Sequence, residues 1–540
     1  MSRPNPIMLL VFLGVVIAGL GGAALMKGGF YIAKHEGDTL HLLQILFRMA
    51  DGEWPHLDFM TPIGIAAFQP VVWFLDAGMG VGQAILSAQV VVACALLLPT
   101  VWAAFSRFPN GLAYLFGLTV MVLALALVHG ERDLLVSISM HYNRWAWAVA
   151  YVVIVLAVLP GVVVRSGVLD GGFIGLGMAF LALCKVTYFI SFAPVVLIAL
   201  LLRRDWVALI CALVAGLAVM AAVTAEAGVA FWGAYLGDLL AVAGSEVRSQ
   251  PGMPLQSVIG APAYLGGSLV VLLGVVLLRQ AGEAHLGLLL LLLAGGFFYV
   301  TFQNFGNDPQ WLVLLAILLL APRVDEKARN GFGWPLGRAL MLSAVAALAF
   351  ATPSFINLAY SPFRHMNVNP EKYTPLLADS GPHRDLHGRI VRANRVDGTM
   401  GLDGPGSGLE GRAELADRET TKTEFLGELL PDCELRMGII AWFEVIAADL
   451  EANGFGDTKI YTADIFSSLW LFGDNPRLVG GSPWYYGGLP GIADASHLLV
   501  PLCPASEAIR KQALEAVAAR ALTVEEVHRH GLYILAEIKR

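Results

Sequence analysis

The sequence predicts a polytopic α-helical membrane protein that carries a soluble α/β domain at its C-terminal end. Three observations point there. The 540-residue chain is 57% hydrophobic and only 14% charged, with a mean hydropathy of +0.68. Its apolar runs recur at roughly the length of a bilayer core. After Ala351 the composition turns polar and helical patterns alternate with extended ones. A β-barrel is excluded, because runs such as Ala84–Ala104 lack a polar–apolar alternation. The net charge of −7 argues against a nucleic-acid partner.

The first run, Ile7–Met26, follows Arg3. It has the look of a signal peptide, but it is long and no Ala-x-Ala site leads into a soluble domain, so a retained first helix is expected. Next comes Lys34–Gly64, which packs Lys34, His35, Glu36, Asp38, His41, Arg48, Asp51, Glu53, His56 and Asp58 into one short stretch. Ionisable groups beside a bilayer are costly unless they serve a water-filled site. Within it, Leu42, Leu43, Ile45 and Leu46 fall at helical spacing over Asp38–Ala50, as in a helix lying on the membrane surface.

Met60–Leu75 is apolar but broken by Pro62, Gly64, Gln69 and Pro70. Positive charge decides how to count it. If it does not cross, Arg107, Arg165, Arg203, Arg204, Arg279, Arg323, Lys327, Arg329 and Arg338 all share the side of Arg3, the cytoplasm. If it crosses, all of them flip outward. It is therefore expected to be juxtamembrane or re-entrant, lining a cavity. The later runs are Ala84–Ala104, Gly111–Val128, Trp145–Val164, Gly171–Cys184, Val186–Leu202, Trp206–Val223, Ile259–Leu278, Leu286–Val300, Trp311–Ala321 and Trp334–Phe350. With the first, they make about eleven crossings. The acidic loop, His129–Arg144, the turn at Lys185, the loop Ala225–Val258, Thr301–Gln310 and everything after Ala351 then lie outside.

A membrane domain over 1–353 and an extracytoplasmic α/β domain over 354–540 follow. In the latter, helices are expected at Glu434–Ala452 and Pro504–Ala521, and strands at Lys459–Thr462, His497–Leu502 and Leu532–Lys539. Cys94, Cys184 and Cys211 lie in apolar runs and read as packing residues. Cys433 and Cys503 lie in the polar region and are candidates for a disulfide there. No zinc-like cysteine spacing occurs.

Several side chains are candidates for chemistry. Glu36 and Asp38, just past the first helix, suit a general base, with solvated loop acids as the plainer reading. Glu131 and Asp133 are candidates to join them. His141, Tyr142, Asn143 and Arg144 suit sugar hydroxyls or phosphate, while Trp145 and Trp147 suit an aromatic belt. Lys185 interrupts two apolar runs and either snorkels or meets an anion. Glu246 and Arg248 are candidates for phosphate or base-orienting contacts, and for a surface ion pair. His383 and His387, four apart, give a weak metal signal on a shared helix face. The glycine- and aromatic-rich stretch Gly473–Gly491 reads as an ordered turn region or a glycan-contacting loop.

These pieces resemble the GT-C superfamily of integral membrane glycosyltransferases over about Met1–Phe350. The resemblance rests on Glu36-Gly37-Asp38, on Gly52 through Phe59 with Trp54-Pro55-His56-Leu57-Asp58, on Pro62, and on Leu183-Cys184-Lys185. The chain departs from a plain acidic pair by placing Arg132 between Glu131 and Asp133. The resemblance implies a mannosyl- or aminoarabinosyltransferase-like enzyme of the cell envelope. Such an enzyme transfers a sugar with inversion from a polyprenyl-phosphate donor to a lipid, glycan or protein acceptor at the periplasmic face of the inner membrane. It implies Asp38 as general base with Glu36 as alternative or partner. Lys185 or Arg248 would stabilise the leaving phosphate, and His56, Asp58, Glu131, Asp133, His141 and Arg144 would bind substrate. No cofactor is required, although the acidic loops suit a divalent cation, as in the oligosaccharyltransferase branch. The competing classes are a transporter (a lipid-linked glycan flippase or a solute carrier), which calls for charges near the bilayer midplane, a lipid-A or wall-polymer ligase, and a non-catalytic assembly subunit.

Overall fold

The computed structural model describes residues 3–130, 133–245, 254–303, 308–402, 407–409, 412 and 423–539. The first helix, α1 (Pro6–Leu25), starts at Asn5, whose side chain accepts the amides of Ile7 and Met8 ahead of an N-terminal proline. A short strand β1 (Phe30–Ile32) leads to α2 (Glu36–Ala50). Met60–Leu75 forms a 3-10 turn at Ile65–Ala67 and all but the last residue of the eight-residue α3 (Gln69–Asp76). Eight residues rise about 12 Å, too little to cross. Then follow α4 (Val81–Arg107), α5 (Asn110–Leu125), α6 (His141–Val158), α7 (Gly167–Cys184), α8 (Val186–Arg203), α9 (Trp206–Ala227), α10 (Ala230–Ala243), α11 (Leu255–Gly260), α12 (Pro262–Gln280), α13 (Ala284–Gln303), α14 (Leu312–Leu320) and α15 (Leu336–Met366).

Among the described residues, eight helices are long and apolar enough to cross a membrane: α1, α4, α7, α8, α9, α12, α13 and α15. The remaining expected runs are helical but different. The α5 helix has 16 residues and α14 only nine, while all 18 residues of α6 are buried at the centre of the bundle. The expected outer loop Ala225–Val258 is in large part helix, because α10 buries Phe231 and Tyr235. On α9 the opposite holds. Only Ala208 is buried, and Ile210, Leu213, Val214, Leu217 and Met220 are all exposed. A helix apolar all round and covered by protein on one narrow face calls for lipid on the rest. It packs on α7 through small residues: a Cβ on Gly171 would lie 2.3 Å from the Ala208 carbonyl, and one on Gly175 2.2 Å from that of Ala212.

At one end of the bundle, Arg107 and Arg203 donate to the last carbonyls of α6, at Leu156, Ala157 and Leu159, and Asp170 pairs with Arg107. Cations there meet the negative end of the α6 dipole. The acidic loop, the segment before α6 and the α7–α8 turn gather at the other end.

The α15 helix runs through the expected boundary at 353/354 without a break. Beyond it lie β2 (Tyr373–Pro375), β3 (Leu386–Arg389), α16 (Ile390–Asn394), β4 (Asp397–Met400), β5 (Glu424–Phe425), β6 (Glu428–Leu429), β7 (Cys433–Met437), α17 (Ile439–Ala452), β8 (Ile460–Thr462), β9 (His497–Pro501), α18 (Glu507–Ala519), β10 (Thr523–Arg529) and β11 (Tyr533–Lys539). The main sheet has the order β10-β11-β9-β8, with β8 and β9 parallel. Its strands alternate between two cores. Leu498, Val500, Ile534 and Ala536 join Ile509, Ala513 and Val517 of α18. Leu499, Tyr533 and Leu535 join Ile440, Phe443 and Ile446 of α17.

The expected helix from Glu434 begins later. Cys433–Met437 is a strand paired with β4, and Gly438, at φ 85°, turns the chain into α17. His383 and His387 do not share a helix face: one lies in a 3-10 turn, the other in β3, stacked on Tyr31. Cys433 and Cys503 form a disulfide, with Cα atoms 4.8 Å apart. The two halves of the chain are sewn together. The β1 strand, ahead of the acidic loop, pairs in parallel with β3.

Candidate functional site

The site grows from the start of two helices. His35, before α2, and Met140, before α6, both hold left-handed backbone, with φ of 64° and 55°. That conformation is uncommon for residues other than glycine, and such strain gathers at functional sites. It sets the first turns of α2 and α6 against each other, so that the Ser139 hydroxyl donates to Asp38 Oδ2 at 2.5 Å. Asp38 also sits in the first turn of α2, where a carboxylate meets the positive end of the helix dipole.

A third wall comes from the α7–α8 break at Lys185, where the chain is extended. The Gly64 amide donates to the Cys184 carbonyl at 3.3 Å. A Cβ on Gly64 would lie 2.0 Å from the Leu183 carbonyl oxygen, so only glycine admits this approach. The contact carries Pro62 and Ile63 to the side of Lys185. The C-terminal domain supplies the fourth wall, Trp484, whose ring lies 5.3 Å from that of His41.

Together these elements wall a cavity that is open to solvent. It is lined by Asp38, His41, Leu42, Pro62, Ile63, Ser139, Met140, Tyr142, Lys185 and Trp484. A half-buried carboxylate and a half-buried ammonium thus face one space. The Lys185 ammonium lies 5.4 Å from the centre of the Tyr142 ring, within cation–π reach.

Glu36 takes a different place from Asp38. It is buried and held by two hydrogen bonds from Arg392 of α16, at 2.6 and 2.7 Å. Asp133 pairs with Lys34 at 2.7 Å. Burial pushes that carboxyl up, but the Lys34 bond and the Leu135 amide outweigh it and hold it below its ordinary value. His35 meets Ser137 at 3.0 Å, and its ring lies 5.0 Å from that of His129. Burial, with His35, Arg144 and Lys34 nearby, pushes His129 down to about 3, so it is neutral at physiological pH.

The remaining expected substrate residues do not line the cavity. His56 meets Asp238 of α10 at 2.9 Å, and Asp58 accepts the Trp54 amide. His141 contacts the Ala67 carbonyl at 2.8 Å, and Arg144 is buried, donating to the carbonyls of Val128 and Ser139. These side chains hold loops in place, because carbonyls in non-helical backbone at this depth need donors. Glu131, Glu246 and Arg248 lie outside the described residues. Among the described residues, no three His, Cys, Asp or Glu side chains form a metal-binding group.

Sequence reasoning missed Ser139, which carries no signal of its own. Trp484 lies in the aromatic stretch Gly473–Gly491, whose composition did mark it. A scan against protein-family models finds none that matches, and no curated protein matches this sequence.

Proposed function

We propose that this chain is a polytopic membrane glycosyltransferase of the GT-C kind, with about eleven crossings and its α/β domain on the periplasmic side of the inner membrane. One observation carries the reading: Asp38 and Lys185, far apart in sequence, line a single cavity at one end of the apolar helices. The chemistry suits that pair. The acceptor hydroxyl gives its proton to the Asp38 carboxylate, which the Ser139 hydroxyl orients. The freed oxygen attacks the anomeric carbon, and the bond from that carbon to the phosphate oxygen breaks. The bonding pair leaves with polyprenyl phosphate, whose charge the Lys185 ammonium stabilises. The Trp484 ring offers an apolar wall to a sugar face.

Two further features favour the reading. The Cys433–Cys503 disulfide suits an oxidising compartment for the α/β domain. The charged residues of the eight long apolar helices sit near their ends, such as Arg107, Asp170 and Arg203, and a flippase would call for them near the middle.

The test is release of free polyprenyl phosphate by purified protein in lipid, offered a panel of polyprenyl-phosphate sugars with a crude membrane extract as acceptor source. Wild type releases it from one donor, and Asp38→Asn loses about 10²-fold or more. Equal release by both overturns Asp38 as the base, and no release from any donor overturns the enzyme.

A further inference from the structure

A second cavity, open to solvent, lies between α2 and the C-terminal domain. One turn walls both cavities. Trp484 lines the first, while Gly481, Ser482 and Tyr485 line the second.

Its charges cancel. Arg48 donates to Glu53 at 2.8 Å and to the Leu478 carbonyl at 3.0 Å. Arg477 pairs with Asp51 and, at 2.6 Å, with Glu53. The buried Asp464 carboxyl accepts the amides of Ile465, Ala505 and Ser506. Two guanidinium groups against these carboxyls leave no surplus positive charge for a phosphate. Two buried polar atoms of lining residues nonetheless have no hydrogen-bond partner among the described residues: Asn475 Oδ1 and Arg48 Nε, on residues 5% and 2% exposed. The amide nitrogen of Asn475 is already committed to the carbonyls of Phe455 and Thr458, which fixes its oxygen as an acceptor. A buried acceptor and donor left over in a native fold call for an explanation, and a ligand is one. Aromatic walls from Trp470 and Tyr485 and the hydroxyl of Thr462 complete the lining.

An uncharged ligand that both donates and accepts hydrogen bonds, and that also presents an apolar face, is a sugar ring. We propose that this cavity binds a neutral saccharide. Resting on the transferase reading above, that saccharide is part of the acceptor, held beyond the Gly481–Tyr485 turn from the hydroxyl that meets Asp38.

The test reads binding without turnover, so its failure is separate from a failure of donor release. Full-length protein in lipid nanodiscs is mixed with a panel of neutral methyl glycosides and disaccharides, and saturation transfer to the ring protons is measured by NMR. At least one saccharide is expected to give a signal. Pro476→Trp, at the exposed rim of the cavity, lowers that signal tenfold or more. Thr462→Val, which keeps the shape, lowers it several-fold. Val479→Trp, a neighbour 69% exposed that does not line the cavity, leaves it unchanged. No signal from any saccharide, or a signal that survives both Pro476→Trp and Thr462→Val, overturns the proposal.

Discussion

Glu36 and Asp38 are two residues apart, and one perturbation separates their roles. Arg392 holds Glu36 by bonds of 2.6 and 2.7 Å, with the Glu36 side chain 5% exposed and that of Arg392 33%. Removing one partner of a fully buried pair costs about 3–5 kcal/mol. Water reaching the exposed third of Arg392 screens part of this, which brings the coupling to about 2 kcal/mol. A double-mutant cycle of Glu36→Gln and Arg392→Gln measures it. The readout is hydrogen exchange of amides in the first turns of α2 and in α16, where this pair joins the membrane half to the C-terminal domain. Either single change speeds that exchange about 30-fold, at about 1.4 kcal/mol per factor of ten, and the double variant adds little. Additive effects, with a coupling below about 0.5 kcal/mol, would refute the pairing. Loss of sugar transfer in Glu36→Gln with full activity in Arg392→Gln would move the base from Asp38 to Glu36.

Three further outcomes are expected. Lys185→Gln lowers the rate of polyprenyl phosphate release about 10²-fold, chiefly in kcat, and Lys185→Arg restores much of it; an unchanged kcat removes Lys185 from the leaving-group side. Replacing Cys433 and Cys503 by serine opens a cross-link between residues 70 apart in sequence. The chain-entropy model sets that at up to about 4 kcal/mol, and limited proteolysis within 423–539 measures it as faster cleavage. Burial pushes the Asp464 carboxyl up to about 6, against the pull of the Ala505, Ile465 and Ser506 amides and of Arg510. Its folded value therefore exceeds the unfolded one. The stability it contributes is complete below about pH 4 and lost as pH rises through 6, about 3 kcal/mol in all. The melting temperature of Asp464→Asn thus falls less than that of wild type between pH 4 and 6, and parallel curves would refute the assignment.

Local pattern determined much of this protein. Apolar run length placed every long helix, because burial of a run that long is a property of the run itself. The breaks at Pro62, Gly64 and Pro70 marked the segment that stops short of crossing, and the density of ionisable groups after α1 marked the loop that builds the cavity. The strands β8, β9 and β11 fall within a residue or two of where the sequence places them.

What the sequence left open depended on partners distant in the chain. Equal in their local surroundings, Glu36 and Asp38 part company only because Arg392, more than 350 residues on, takes one of them. His141 and Arg144 have the chemistry of a phosphate site, but the carbonyls of Ala67 and Val128 claim them. No periodicity could reveal that Ser139 would meet Asp38, or that Trp484 would close the space above Lys185. A hydrogen bond or a cavity wall is a fact about two segments at once, and only the packed chain decides which donor reaches which acceptor.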